Sequence, residues 1–573
     1  MTIMEEVADY QRHCPIFKGI FSLESAADFA ELYYIFSFFT EAIAMILIFS
    51  PRTGPTYMPL GLACLAALAR DQDAPLDLFD ANLELWQHLC DQDLTLGAMR
   101  AFFQGSMDRF LNPAVYAGHS IRMPEARRKI DQLEQQAREY LQGNGLGSGL
   151  QELLQRHTAR ILREKSPETV AFSAMYLDQL PFILAQAKYL VEEEKAGCRI
   201  LIGGAAMSAL SVPELMGAAP FVAAVVIGEG EVAFQALLKK QPLATIPGCW
   251  YRDQGDIRFA GEGIVQQDLA SLCMPDFSQL AGGGYFNPVP VMPVYGCRGC
   301  KWRRCRFCTH NHSFGVYRER PPRMVAKEML ALRMRFGCRH FYFVDQYVDP
   351  IYLNELSDAI LELKLDCRFQ IMARTVAGYT PELLHKAAQA GCCWISWGVE
   401  SGSQKLLNLM NKGTTPEIAL RVLRDATAEG ISNLVMMIFG APGSDASCLD
   451  ETFTFLDRAW MHIDGMTASA FVLFDQTDFG SHPERFGLEI LGKNRVLCVE
   501  GRPLYDLKLR FRRDSEPGRS ESPLAAMEIE KWERYKAWLP ELPFHGALCC
   551  EHYLLYADAL QASHRPGRNQ RPA

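Results

Sequence analysis

Four cysteines, Cys297, Cys300, Cys305 and Cys308, fall within twelve residues in the run Gly-Cys-Arg-Gly-Cys-Lys-Trp-Arg-Arg-Cys-Arg-Phe-Cys that ends at Cys308. Thiolates this close in one segment are metal ligands by type. A structural zinc site takes four ligands, usually as two separated pairs, and no clean second pair lies nearby. Buried structural thiols seldom crowd into so arginine-rich a stretch. A [4Fe–4S] cluster is held by thiolates, and a protein that supplies three leaves one iron open to a substrate. Arg304 and Arg306 stand beside the thiols, where they favour thiolate over thiol and offset the cluster's negative charge. Cys300, Cys305 and Cys308 are the expected ligands. Cys297 is the alternative first ligand, at the cost of a seven-residue gap to Cys305. His310 and His312 read as polar loop groups rather than ligands.

The chain that must position this loop has 573 residues, 49% hydrophobic and 22% charged, with a net charge of −9 and a pI near 5.9. That is enough apolar material for more than one core. An acidic whole excludes a bulk nucleic-acid binder, which needs a basic face. The 18 cysteines would suggest disulfides in a small secreted domain. Here the chain is long, and its first ten residues carry acids instead of a basic leader. No apolar run approaches the roughly 20 residues of a membrane span. The expectation is a cytoplasmic protein without a membrane partner.

Residues 1–40 read as a helical lead segment. The continuous apolar run at 42–50 reads as a strand buried on both faces, as in a parallel sheet. A Pro/Gly-rich loop at 51–59, a helix at 60–71 and a strand at 76–80 complete a β-α-β opening. Residues 84–165 form a helical insertion, with clear periodicity at 125–140 and a glycine break at 143–149. Strands at 169–173, 199–203 and 224–228 alternate with helices at 179–196 and 231–240. This predicts one doubly wound, Rossmann-like α/β domain over 41–240. Residues 241–284 read as a linker. A second series follows over 285–490, with strands at 289–295, 340–344, 368–372, 394–397, 433–438 and 467–474 separated by helices. Six such repeats suit a partial (β/α)6 barrel, whose chemistry sits at the C-terminal ends of its strands. Residues 491–573 read as a mixed C-terminal region that ends in a polar, disordered tail.

With the cysteines placed after the first strand of that second series, the sequence resembles the radical S-adenosylmethionine superfamily. The usual pattern has three residues and then two between its cysteines, with an aromatic before the last. This chain has four and then two, with Phe307 as the aromatic. Gly299-Cys-Lys-Trp302 looks like a variant seen among cobalamin-dependent members. Three later stretches agree in order: Phe343-Val-Asp345, Gly398-Val-Glu-Ser-Gly402 and Ile438-Phe-Gly-Ala-Pro-Gly443. The resemblance implies contacts to S-adenosylmethionine from Asp345, Arg374, Glu400, Ser401, Gly402, Gly440 and Pro442, with Asp345 facing the amino group.

The first domain resembles the cobalamin-binding domain found ahead of many such enzymes. The matching segments are 48–51, 59–61, Asp80-Ala-Asn82, Phe172-Ser-Ala-Met175, Ile202-Gly-Gly204 and Gly228-Glu-Gly-Glu231. The resemblance implies cobalamin contacts from Ser173, Met175, Gly203, Gly204, Gly228 and Glu229. Small residues at strand ends let a large flat cofactor approach the backbone. No Gly-x-Gly-x-x-Gly follows the first strand, so a dinucleotide site is not indicated. The Asp-x-His-x-x-Gly motif that ligates cobalt from below is missing, which leaves Arg52 or Tyr57 as neighbours of the lower face. The implied activity is reductive cleavage of S-adenosylmethionine followed by C-methylation of a peptide or natural-product intermediate, with flavodoxin or ferredoxin as electron donor. A cobalamin-dependent rearrangement or ring closure and a non-catalytic cobalamin- or redox-responsive module are the alternatives. Phe479 to Gly487 is expected to cover the barrel mouth, and Cys549-Cys-Glu-His552 is a poorly spaced candidate for a second metal.

Overall fold

The computed structural model describes residues 45–162, 167–310, 315–513 and 549–562. The expected lead helix at 1–40, the polar end at 564–573 and His312 lie outside the described residues.

The first sheet has seven strands in the order β2-β1-β3-β4-β5-β6-β7. These are β1 (Met45–Phe49), β2 (Leu76–Asp80), β3 (Thr169–Ser173), β4 (Arg199–Gly203), β5 (Ala224–Val226), β6 (Cys249–Asp253) and β7 (Asp256–Phe259). The first five pair in parallel. Every residue of β1 is buried, as an all-apolar strand in the middle of a sheet covered on both faces must be. The order reverses between β1 and β3, and the crevice over that reversal is where doubly wound sheets take ligands. Six helices between β2 and β3 run from Ala81 to Ile161, across the stretch read as a helical insertion. One expectation is corrected. Within the presumed linker at 241–284, β6 and β7 form an antiparallel hairpin on β5 and extend the first sheet. Trp250 and Phe259 stack across that hairpin at 4.6 Å between ring centroids, a pair too far from any periodic run to betray a strand.

The second sheet has six parallel strands in chain order: β8 (Val291–Val294), then β11 (His340–Phe343), β12 (Arg368–Arg374), β13 (Cys392–Glu400), β14 (Ser432–Phe439) and β15 (Gly465–Ala470). Between β8 and β11 a two-residue ladder joins β9 (Cys297–Arg298) to β10 (Arg318–Glu319). The crossover helices start on paired signals. Asp349, Thr380 and Thr415 each accept a backbone N–H at the N-cap, and a proline follows at the first helical position.

The C-terminal region is more structural than a mixed tail. It contributes β16 (Leu473–Phe474), β17 (Leu488–Val499) and β18 (Arg502–Arg513), an antiparallel sheet with β18 in the centre. The boundary expected at 490 falls inside β17. The long β17–β18 hairpin ties the two sheets together. Its turn end binds the first domain, where Glu500 N–H donates to Leu141 O at 2.8 Å and Arg502 to Gly217 O at 2.6 Å. Its far end reaches the second domain, where Arg513 donates to Gly440 O at 2.7 Å. The helix Cys550–Ala562 packs on the N-terminal ends of β11–β13, where Asp558 takes Arg368 at 2.8 Å and His340 at 2.9 Å.

Candidate active site

The cysteine loop leaves β8 and is tied down at three places. At its entry, both oxygens of buried Asp345 accept the N–H of Gly296, at 2.9 and 3.0 Å, and one also accepts that of Cys297. Asp345 sits just past β11, so the carboxylate clamps two parallel neighbours of the second sheet. Burial pushes its pKa up to about 6. Asp345 was expected to face a ligand's amino group; in the structure its oxygens accept the N–H groups of the loop. Cys297 is buried in β9, where its thiol donates to Tyr347 O at 3.4 Å.

In the middle, Trp302 turns inward and donates from Nε1 to Asn411 O at 2.8 Å. Its ring lies under the Arg374 guanidinium at 4.3 Å and under that of Arg304 at 5.1 Å. Gly413, at φ +67°, makes room for it, because a Cβ there would lie 2.5 Å from Trp302 Cη2 and closer still to Cζ2. At the exit, Arg306 N–H donates to Met410 O at 3.0 Å and its guanidinium to Leu409 O at 3.0 Å. The segment 409–413, which follows the helix Gln404–Leu409, is thus a cradle for the loop. No sequence motif drew attention to it.

Cys300, Cys305 and Cys308 are half-buried and lie within electrostatic reach of one another. Burial raises the Cys305 thiol, while the charges of Lys412 and Arg374 pull it back. Burial pushes Cys308 up to about 11. The cations that act on these thiols come from β12 and the cradle. Arg304 is spent on Trp302 and Arg306 on Asp478 at 3.2 Å, against their expected role beside the thiolates. Among the described residues, no group of three His, Cys, Asp or Glu is arranged to hold a single metal ion. A cubane spreads its thiolates over separate irons and holds them wider apart than one ion does, so three soft donors on one loop with two cations behind them fit a cluster.

Around the loop, Glu400 stands at a bulge of β13 with φ +67° and pairs with buried Lys412 at 2.6 Å. Arg374 at the end of β12 donates to Lys412 O, while its buried Nε has no partner among the described residues. An orphaned guanidinium N–H beside the cysteines is a ready donor for an anionic or hydroxylated ligand. Ser401 and Gly402 serve the turn instead. Ser401 Oγ shares a hydrogen bond with Thr452 Oγ1 at 3.0 Å, and a Cβ at Gly402 would stand 2.5 Å from Phe455 Cβ. Both belong to the packing of the helix Ala446–Ala459 on β13. Gly440 and Pro442 form a turn whose Gly440 carbonyl is held by Arg513, and two buried donors of Arg513, Nε and Nη1, have no partner among the described residues.

A cavity of about 350 Å³ lies over the C-terminal ends of β1, β3, β4 and β5. Ser173, Met175, Gly203, Gly204 and Gly228 line it, together with Tyr57. Its opposite wall is Tyr295, Cys297 and Arg298 from the start of the cysteine loop, with Val344 and Gln346 after β11. A second cavity of about 580 Å³ adjoins it and shares Gly228. The walls of the first cavity are mostly apolar, as ligand sites usually are, and those of the second are evenly mixed. Two sequence expectations change here. Glu229 lines only the second cavity and is committed to ion pairs, with Arg318 at 2.6 Å and Arg298 at 3.3 Å. Against the cost of burial, Arg318 and Arg298 hold its carboxyl below the usual range. Arg52 turns away to Asp131 and Glu134 on the insertion, leaving Tyr57 in the cavity, where its hydroxyl meets Met175 Sδ at 3.3 Å.

The remaining candidates are structural. His552 is buried between Tyr116 Oη at 2.9 Å and Phe286 O at 2.8 Å, and Glu551 accepts from Thr56 at 2.9 Å. Neither is left to hold a second metal with Cys549 and Cys550. The turn around Phe479 sits on the cysteine loop, with Phe479 N–H donating to Arg306 O at 3.3 Å.

Residues 294–456 match the sequence model of the radical SAM superfamily. The chain is 28% identical over 258 residues to an uncharacterized methyltransferase of Pyrococcus horikoshii, covering 43% of this chain and 55% of that one. It is 25% identical over 320 residues to the anaerobic magnesium-protoporphyrin IX monomethyl ester cyclase of Cereibacter sphaeroides, covering 52% and 50%. It thus spans about half the length of these curated relatives. Among solved structures, the radical S-adenosylmethionine methyltransferase TsrM from Kitasatospora setae, with cobalamin and a [4Fe–4S] cluster bound, aligns at TM-score 0.59 and 14% identity over 91% of this chain and 99% of that one. The cobalamin-dependent S-adenosylmethionine radical enzyme OxsB, with aqua-cobalamin and S-adenosylmethionine bound, aligns at TM-score 0.56 and 15% identity over 97% and 80%. The second sheet with its cysteine loop is therefore a radical SAM domain. Taken whole, the chain has the fold of the cobalamin-dependent radical SAM enzymes. Among the described residues no helix is long and apolar enough to cross a membrane.

Proposed function

We propose that this chain is a cobalamin-dependent radical SAM enzyme that C-methylates an unactivated carbon of a peptide or natural-product intermediate. The observation that carries the reading is the shared cavity, with the strand ends of the first sheet on one side and the root of the cysteine loop on the other. When bound, the cluster and cobalamin supply the electron that splits the sulfonium of S-adenosylmethionine and the methyl group that is transferred. Cys300, Cys305 and Cys308 are the cluster ligands, and the buried, hydrogen-bonded Cys297 is not. The unpartnered Nε of Arg374 is the donor for S-adenosylmethionine, while Lys412 and Glu400 hold Arg374 and the thiols in place. Asp345, Ser401 and Gly402 set the shape of the pocket without touching its contents. Ser173, Gly203 and Gly228 face the corrinoid, and apolar walls exclude water from the reacting carbon. Residues 285–490 act as a partial (β/α)6 barrel around the substrate.

The test is anaerobic reconstitution with iron, sulfide and hydroxocobalamin. Replacing Cys300, Cys305 or Cys308 by Ala abolishes the cluster absorbance and the release of 5′-deoxyadenosine, whereas Cys297→Ala keeps both. Loss of iron in Cys297→Ala with retention in Cys300→Ala overturns the ligand set. A product heavier by one methylene supports methylation. The curated relatives also include a cyclase and the 4′-phospho-dehydrooxetanocin synthase of Priestia megaterium, which favours radical ring closure as the second reading. Turnover without added mass selects it.

A further inference from the structure

The second cavity, of about 580 Å³, is walled by Trp250 of β6, by residues 262–265 after β7 and by the start of the helix Val212–Ala218. It meets the first cavity at Gly228. There φ is +83° and a Cβ would find no atom within 4 Å, so the space beside this backbone is open. The segment 262–265 is held close to the sheet by a pair of glycines. A Cβ at Gly248, where φ is +76°, would lie 2.8 Å from Ile227 O and 3.1 Å from Gly263 Cα. The segment is also pinned on both sides. Gly248 N–H donates to Gly261 O at 2.8 Å, and Gln266 N–H donates to Glu229 Oε2 at 2.9 Å. Between those pins Ile264 and Val265 line the cavity, yet they stay 49% and 36% exposed. Two adjacent apolar side chains on a fixed backbone, open to water at the mouth of a cavity this large, mark a binding edge.

The side chains around this space select one kind of ligand. Trp250, Leu210 and Ile227 give it an apolar body. Ser211 stands at the N-cap of its helix without making a side-chain cap hydrogen bond, and Ser208 and Gln476 add further neutral polar groups. Two carboxylates line it: Glu229, already paired with Arg318 and Arg298, and exposed Glu262. Among the described residues no lysine or arginine lines it. An anionic group would be taken out of water here without a cation to receive it, which is unfavourable. We infer that this cavity receives the distal part of the substrate, an uncharged, elongated chain with an apolar body and hydrogen-bonding groups, whose reacting end reaches the first cavity past Gly228. This deepens the function proposed above by naming the class of substrate, and it rests on the first cavity being the place of the corrinoid.

The experiment is equilibrium dialysis of the full chain, saturated with hydroxocobalamin so that the first cavity is filled. Two probes with the same rings are compared: neutral N-phenyl-1-naphthylamine and the anionic 8-anilinonaphthalene-1-sulfonate. The parent should bind the neutral probe at least about tenfold more tightly than the sulfonate. Ile264→Asp, at an exposed position, and Ser211→Phe, which fills the space, should each weaken the neutral probe at least about tenfold and change hydroxocobalamin binding by no more than about twofold. Equal affinity for the two probes, or affinity that ignores both substitutions, overturns the site. Ile264 is exposed, so its variant decides the matter even where Ser211→Phe disturbs folding. Displacement of the neutral probe by hydroxocobalamin gives the second cavity to the cofactor, which overturns the substrate subsite and leaves the proposed function standing. A parent chain that binds the neutral probe but no hydroxocobalamin overturns the proposed function and, with it, the substrate role of this cavity.

Discussion

Replacing Gly413 by Ala isolates the contact that holds the middle of the cysteine loop. The added methyl would overlap the Trp302 ring, with Cη2 at 2.5 Å, and the residue would have to keep φ +67°. The left-handed backbone alone costs an L-residue about 1–2 kcal/mol. The overlap is relieved only by moving Trp302, which gives up the Arg374 cation–π contact, about 0.5–2 kcal/mol, and the hydrogen bond to Asn411 O, about 1 kcal/mol. The sum is about 2.5–5 kcal/mol. In a Trp302→Ala background only the backbone part is left, about 1–2 kcal/mol. The two substitutions should therefore couple by about 1.5–3 kcal/mol in a double-mutant cycle. Urea unfolding of the parent, both singles and the double, followed by far-ultraviolet circular dichroism, measures the cycle. Iron uptake should fall in Gly413→Ala, because the displaced ring carries Cys300 and Cys305 with it. An equal cost of Gly413→Ala in both backgrounds would refute the reasoning, since the penalty would then owe nothing to Trp302.

Lys412→Met leaves Glu400 as a buried charge without its partner and should cost about 3–5 kcal/mol in urea unfolding, whereas the double change Lys412→Met with Glu400→Gln should cost clearly less. Asp345→Ala strips the acceptor from two buried N–H groups and should cost about 2–6 kcal/mol, at about 1–3 for each group, with Asp345→Asn between it and the parent and iron uptake following the same order. Burial holds the His552 pKa down to about 4, against about 6.5 for an unfolded chain, so the unfolded state binds the extra proton first. Stability should therefore be full above about pH 6.5 and fall by about 3 kcal/mol as pH drops toward 4. His552→Gln should flatten that part of the pH profile, and an unchanged slope in the variant would assign it to other groups.

The sheets were readable because their strands are apolar runs bounded by punctuation, and the helices of the second sheet because Asp349-Pro350, Thr380-Pro381 and Thr415-Pro416 announce their starts. The hairpin β6–β7 was not, because its burial pattern is half-exposed and its pairing to β5 is set across the sheet. At the site, residue type and spacing pointed to the cysteines and to the small residues at strand ends, whose roles depend on local geometry. They could not reveal which way a polar side chain at a strand end turns. Asp345 and Glu229 stand at such ends, and both are claimed by donors of the cysteine-loop region, one by the N–H groups of Gly296 and Cys297 and the other by Arg298 and Arg318. Lys412 and Gly413 went unmarked, and the motif that contains Trp302 did not show that its ring turns inward to Asn411, 109 residues away in sequence.

These misplaced assignments share a physical logic. A cubane gains little specificity from the thiolates alone, because a flexible loop can bring three cysteines together in many ways. What orders this loop is its attachment to different elements: Asp345 beside β11 at the entry, the cradle 409–413 beyond β13 in the middle and at the exit, and Glu229 and Glu231 of the first domain through Arg298. The last attachment matters most for a shared site. Arg298 lies two residues before Cys300 and lines the cavity with Glu231, so the wall that would meet a ligand in the first domain is the same backbone that aims the first thiol. Arg298 and Glu231 thus join the two domains through a part-buried ion pair next to the cysteine loop.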